Sequence, residues 1–134
     1  MADDPTFALQ RFPLHLGRGG RADVQPEHDG SMEWYMGYGE RAAADGADGW
    51  LVTMHSFTEP WDSWEVHPHG HELVLCTAGA MTLHQELDGV TTTVVLQAGE
   101  AVVNPPGAWH TADVDGSATA LFITSGAGTD HRPR

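Results

Sequence analysis

From residue 50 onward, short apolar runs alternate with polar segments along the chain. The runs are rich in β-branched and aromatic residues, which favours strands over helices. The segments between them contain Gly, Pro, Asp or Asn, the residues that form tight turns. There are eight such runs: WLVTMHSF, SWEVH, ELVLC, MTLHQEL, TTTVVL, EAVVN, WHTADV and ATALFIT. Strands spaced this regularly predict an all-β fold, an antiparallel sandwich or barrel.

The N-terminal third has a different pattern. Residues 1–30 are polar and Gly-rich, and they predict an arm or a loosely attached strand. Residues 31–46 predict a short helix that begins after the N-cap candidate Ser31 and ends at Asp45-Gly46. We expect this helix to pack on the β domain.

These patterns divide the chain into three segments. Its length of 134 residues is typical of one globular domain. An arm with a short helix occupies 1–48, and the β domain occupies 49–126. The last residues, 127–134, show no apolar pattern and predict a C-terminal tail.

Charge and composition exclude several classes of function. The formal net charge is −13, from 19 acidic and 6 basic residues. No basic stripe is present to neutralise phosphates, so we expect neither nucleic acid nor an anionic membrane as a partner. The single cysteine, Cys76, cannot form an intramolecular disulfide. Without a signal-peptide pattern or a run of about 18 apolar residues, the sequence predicts a soluble cytoplasmic protein.

The segment WEVHPHGHE, residues 64–72, concentrates potential metal ligands. Its HPHG portion predicts a type I turn between two strands. Side chains alternate along a strand, so Glu65 and His67 share a face, and an even loop places Glu72 on that face too. The same register directs His71 to the opposite face and leaves His69 in the turn. We therefore predict that Glu65, His67 and Glu72 converge.

A fourth candidate lies in GEAVVNPPGAWH, residues 99–110. Its Pro-Pro-Gly forms a rigid turn that leads into a strand, where His110 can face inward. From the residues alone, a packed or exposed role for this histidine is equally consistent with the pattern.

Residues 50–125 resemble the cupin superfamily. The second cupin signature, G-x5-P-x-G-x2-H-x3-N, is matched at full spacing except for Val114 at its final Asn: Gly99, Pro105, Gly107, His110. The first signature, G-x5-H-x-H-x3,4-E-x6-G, is matched in part: His67, Glu72, Gly79. Glu65 stands at its first histidine position, and Glu59 stands at its leading glycine. More narrowly, the chain is similar to small bacterial single-domain cupins.

The resemblance implies a cupin jelly-roll β-barrel or sandwich and a metal site. Carried over by position, the family's ligands become Glu65, His67, Glu72 and His110. Two carboxylates with two imidazoles suit one divalent transition metal, Fe, Mn, Ni or Zn, and the sequence does not choose among them. Alternatively, Glu65 is a general base beside a His67–Glu72–His110 triad, the composition of non-haem iron sites with open positions.

The function expected from these residues is that of a metal-dependent enzyme acting on a small organic molecule in the barrel. Dioxygenase, isomerase, lyase and cyclase reactions all occur on cupin scaffolds, so the fold does not select one. The alternative is a non-catalytic module that binds or senses a small molecule. Because small jelly rolls leave sheet edges to cover, we also expect a homodimer that exchanges N-terminal strands.

Overall fold

A computed structural model describes residues 4–134; the first three residues of the predicted arm lie outside this range. Residues 4–134 form ten strands and one α-helix, with 3-10 turns at Arg18–Gly20 and Ala43–Asp48. The elements are β1 (Leu14–Gly17), β2 (Arg21–Val24), α1 (Met32–Ala42), β3 (Trp50–Phe57), β4 (Ser63–Val66), β5 (Glu72–Leu87), β6 (Val90–Gln97), β7 (Ala101–Asn104), β8 (Trp109–Asp113), β9 (Ala118–Thr124) and β10 (Asp130–Pro133). The predicted all-β class is therefore confirmed.

Two antiparallel sheets share the 16-residue strand β5. The first half of β5 pairs with β7 and β9, in a sheet that continues through β3, β1 and β2. The second half pairs with β6 and β8, in a sheet that continues through β4 and β10. Buried side chains from both sheets form one core: Val74, Cys76, Met81, Leu83, Leu96, Ala112, Val114, Ala118, Ala120 and Phe122.

The strand β5 is continuous where the sequence predicted a turn at Thr77-Ala78-Gly79. The structure instead has a β-bulge, because the register with β9 shifts between Cys76 and Ala78. Gly79 has a φ of 69°, and a Cβ there would overlap the carbonyl oxygen of Ser117. Turn-forming residues therefore mark the point where β5 passes from one sheet to the other.

The N-terminal segment packs on the domain as a hairpin and a helix. Strand β1 pairs with β3 of the same chain, so exchange between protomers is not needed to cover that edge. The homodimer stays a prediction. The Oγ of Ser31 accepts a hydrogen bond from the backbone N–H of Trp34, which confirms the predicted N-cap of α1. No helix in residues 4–134 is long and apolar enough to cross a membrane.

The predicted tail at 127–134 is wrong for its second half. Asp130–Pro133 form β10, which pairs with β4 at the edge of the second sheet. The strand has no apolar alternation because its contacts are polar or cationic: Arg132 donates to Glu86, and its guanidinium lies 4.5 Å from the ring centroid of Trp109. A hydrophobic pattern therefore could not reveal it.

Candidate metal centre

The four predicted ligand residues lie together at one end of the barrel. Glu65 is on β4, His67 follows that strand, Glu72 begins β5 and His110 is on β8. One potential ligand atom from each residue lies within 4.8 Å of the others. His67, Glu72 and His110 are buried, and the Glu65 side chain is 29% exposed. The arrangement is that of a site open on one side, toward Glu65.

The route by which these residues meet differs from the prediction. The sequence predicted that residues 64–67 and the strand after 71 pair as a hairpin, but β4 and β5 do not pair. Glu65 instead lies opposite His110 of β8, while Glu72 lies opposite Asn104 and Thr124. The intervening loop bonds to other segments: the backbone N–H of Gly107 donates to the carbonyl of His67. The ligands therefore converge from two sheets.

The tautomer of His67 follows from its neighbours. The hydroxyl of Thr129 donates to the carbonyl of Gly126 at 2.8 Å, so its oxygen must accept at its other contact. That contact is His67 Nδ1, 2.8 Å away, which therefore carries the proton. The Nε2 atom of a neutral His67 then presents a lone pair, the form that binds a metal.

The tautomer of His110 also follows from its neighbour. Its Nδ1 lies 3.2 Å from the carbonyl oxygen of Ala108, an acceptor only, so Nδ1 is the protonated nitrogen. The Nε2 atoms of both His67 and His110 are buried and make no hydrogen bond within the described residues. Buried polar atoms without a partner are rare and call for a ligand or ion.

Glu72 is held by two donors. Its Oε1 accepts from Asn104 Nδ2 at 3.1 Å, and its Oε2 accepts from Thr124 Oγ1 at 2.6 Å. Gln85 Nε2 donates to Asn104 Oδ1 at 2.6 Å and so fixes the orientation of that amide. Such outer contacts orient metal-ligating side chains.

The distances between imidazoles and carboxylates require positive charge in the site. His67 Nε2 lies 3.1 Å from Glu72 Oε2 and 3.2 Å from Glu65 Oε1, and His110 Nε2 lies 3.0 Å from Glu72 Oε1. Two lone pairs at this separation repel each other unless a proton or a cation lies between them. The chemistry of the donor set therefore fits a divalent transition metal.

The pKa directions agree with this geometry. Burial raises the pKa of Glu65, but His131 and His67 beside it outweigh that effect and lower the pKa to about 2. Burial also lowers the pKa of His67, but Glu65 and Glu72 outweigh it and raise the pKa to about 9. The pKa of Glu72 lies well below its ordinary value, because His110 and His67 outweigh the effect of burial. Both carboxylates are therefore ionised, as metal ligands must be, whereas a metal would have to displace the proton that a pKa of about 9 keeps on His67 Nε2 near pH 7.

A cavity of about 1020 Å³ opens beside the ligand cluster. Glu65, His67 and Glu72 contribute to its lining, and α1 lies at its mouth. His55 also lines the cavity, whereas the other strand histidine, His84, is bonded to Thr93 and Asp113 elsewhere. The cavity gives a small molecule access to the ligand cluster.

The structure also places the remaining histidines of the motif and adds residues that the sequence did not reveal. His69 and His71 are exposed, so neither joins the cluster. Thr129 and His131, in the segment predicted as a tail, lie at the site, with His131 Nε2 3.6 Å from Glu65 Oε2. Thr and His are common on surfaces, and no spacing signal pointed to them.

At one end of this antiparallel barrel, two imidazoles and two carboxylates form a group that could hold a metal ion. Residues 52–126, more than half of the chain, match the Cupin domain family, and the chain belongs to that family. A search of the curated proteins found no match.

Two solved structures illustrate the fold. An oxalate oxidase is 18% identical in sequence to this chain, with a TM-score of 0.53. The matched region covers 60% of this chain and 44% of the oxalate oxidase chain. Peruvianin-I, a cysteine peptidase from Thevetia peruviana latex, is 21% identical, with a TM-score of 0.53. The matched region covers 63% of this chain and 56% of the Peruvianin-I chain. This chain therefore spans about half the length of either relative. At these identities the likeness shows the fold alone.

Proposed function

We propose that this chain is a metal-dependent enzyme that acts on a small organic molecule bound in the barrel. The observation that supports it most directly is the pair of buried, unpartnered Nε2 atoms of His67 and His110, each about 3 Å from a Glu72 oxygen. His67, Glu72 and His110 would hold one divalent ion, Fe, Mn, Ni or Zn. Such an ion supplies Lewis-acid chemistry when bound.

Glu65 has one of two roles in this proposal. Its partly buried position beside the cavity and its contact with His67 suit a fourth ligand. Its contact with His131 at 3.6 Å suits a general base whose carboxylate is oriented toward the cavity. A pKa of about 2 makes a weak base, which favours the ligand role.

Elemental analysis of untagged protein, purified without a metal column, tests the proposal. We expect close to one transition-metal ion per chain in the wild type and loss of that ion in a Glu65→Ala/His110→Ala double variant. His69→Ala and His71→Ala are matched controls, because both histidines belong to the same motif but are exposed outside the cluster. They should retain the wild-type metal content.

Absence of metal from the wild type, even after reconstitution, would reject the metalloenzyme and leave the non-catalytic binding module. In that case ligand binding should be unchanged by a chelator. Glu65→Gln separates the two roles of Glu65. A drop in metal affinity identifies a ligand, whereas unchanged affinity with lost turnover identifies a general base.

A further inference from the structure

The wall of the cavity between α1 and the ligand cluster is aromatic. The ring centroids of Phe57, Trp61 and Phe122 lie 5.5 to 6.1 Å apart, a packing distance for aromatic pairs. All three side chains line the cavity, and Tyr35 and Met36 of α1 line its mouth. This wall suits a flat, apolar molecule.

Trp61 has an unused donor in this wall. Its indole Nε1 is buried and makes no hydrogen bond within residues 4–134. A buried N–H without a partner costs free energy, which an oxygen of a bound molecule would recover.

The basic side chains that line the cavity are all histidines: His55, His67 and His131. The sequence contains no lysine and six arginines, and none of them is among the described residues that line the cavity. Each arginine bonds to a polar partner elsewhere: Arg11 to Glu27, Arg18 to Asp48, Arg21 to Asp23 and Asp45, Arg41 to Gln25, Arg132 to Glu86 and Arg134 to Asp113. An anionic substrate would therefore find no arginine or lysine to pair with.

The other charged groups of the cavity also disfavour an anion. The negative charges of Glu65 and Glu72 would balance the two positive charges of a divalent ion. In its absence they face His67, whose Nε2 lies 3.2 Å from Glu65 and 3.1 Å from Glu72, and His131, whose Nε2 lies 3.6 Å from Glu65. Two further carboxylates, Glu59 and Asp62, line the cavity. Burial and the nearby His28 lower the pKa of His55, so this imidazole is neutral near pH 7.

We propose that the cavity takes an aromatic molecule that carries a hydroxyl or carbonyl oxygen, and that it rejects carboxylates. The ring lies against Phe57, Trp61 and Phe122, and the oxygen lies toward the ligand cluster. This inference rests on the proposed function, because the ligand cluster is taken as the reacting end of the cavity.

Calorimetric titration with three naphthalene probes tests it. The probes are 2-naphthol, 2-naphthoate and 2-naphthylmethylamine, which share a ring system and differ in charge at pH 7. The protein is titrated in its metal-loaded and chelator-treated forms. We expect 2-naphthol to bind roughly tenfold tighter than 2-naphthoate in both forms, because the anion is desolvated near carboxylates without an arginine or lysine to pair with. Binding of 2-naphthoate as tight as, or tighter than, that of 2-naphthol or of 2-naphthylmethylamine would overturn the proposal.

Met36→Arg supplies the missing cation at the mouth of the cavity. Met36 is 65% exposed on α1, and arginine is a good helix former, so the fold should tolerate the change. The preference for 2-naphthol over 2-naphthoate should fall about threefold. Met36→Gln, of similar length without charge, is the matched control and should keep the wild-type preference. An unchanged preference in Met36→Arg would show that charge does not set the selectivity.

The two proposals can fail separately. If elemental analysis finds no metal, the proposed function fails, while titration of the chelator-treated protein still measures charge preference. If metal is present and 2-naphthoate binds as well as 2-naphthol, the substrate class is wrong and the metal site stands.

Discussion

Thr129→Val removes one hydroxyl and leaves the size of the side chain unchanged. That hydroxyl accepts from His67 Nδ1 at 2.8 Å and donates to the carbonyl of Gly126 at 2.8 Å. Without it, the carboxylates of Glu65 and Glu72 beside Nε2 favour the tautomer that is protonated at Nε2, which has no lone pair there for a metal. We therefore expect the variant to bind metal more weakly although Thr129 is not itself a proposed ligand.

The size of the effect follows from the role of such contacts. Loss of an outer partner of a metal-bound histidine lowers metal affinity by about 10- to 100-fold. This corresponds to roughly 1.4 to 2.7 kcal/mol of binding free energy. Folding stability should fall separately, by about 1 kcal/mol, the usual net contribution of one hydrogen bond.

Competition with a chromophoric chelator for Zn²⁺ measures the affinity. Thr93→Val is a matched control, because Thr93 Oγ1 contacts His84 Nδ1 at the same 2.8 Å, away from the ligand cluster. We expect wild-type affinity in the control. If Thr129→Val changes the affinity less than about threefold, or if both variants lose affinity equally, the assignment of the His67 tautomer is refuted.

Four further predictions concern stability. Leu83→Ala, at a fully buried position, should cost about 2 to 5 kcal/mol in urea unfolding. Gly79→Ala should cost at least about 2 kcal/mol, because it combines a positive φ with overlap at the Ser117 carbonyl. Asp45 has its pKa lowered to about 2, chiefly by the hydrogen bond from His15. Asp45→Asn should therefore lose stability above pH 4, and this loss should shrink as the pH falls toward 2. Metal at a hundredfold excess over its Kd should stabilise the wild type by about 2.7 kcal/mol, several degrees in Tm.

Each has an internal control. Leu87→Ala, on the same strand but 39% exposed, should cost well under half as much as Leu83→Ala. Gly39→Ala, in α1 with no atom near a new Cβ, should stabilise the helix by about 0.5 to 1 kcal/mol. Asp48→Asn, at an exposed ion pair, should change stability by less than about 1 kcal/mol at any pH. His110→Ala should show no metal-dependent Tm shift. Equal effects within any pair would contradict the corresponding argument.

Local features of this chain could be predicted from the sequence because they depend on nearby residues. Ser31 caps α1 through a backbone N–H three residues away. The strand periods of residues 50–125 yielded the all-β class, and alternation placed Glu65 and His67 on one face. Motif resemblance brought in His110, whose relation to Glu65 depends on the pairing of β4 with β8.

Pairing between distant strands could not be predicted. The turn residues of HPHG predicted a hairpin, but β4 pairs with β8 and β5 pairs with β7 and β9. The backbone groups of each strand need hydrogen-bond partners, and distant strands supply them here. Pairing between distant strands and segments also brings three further residues to the site: Asn104, Thr124 and Thr129. Their side chains carry no distinctive spacing, and only the completed sheets bring them to His67 and Glu72.

The sharing of β5 between both sheets has a consequence for the order of events during synthesis. Glu72 meets Thr124 across 52 residues of chain, and His67 meets Thr129 across 62. Closing loops of this length is slow, and it cannot begin before the later partner has left the ribosome. The ligand cluster with its outer contacts can therefore be complete only after residue 129 has left the ribosome, which places assembly of the proposed metal site late in synthesis.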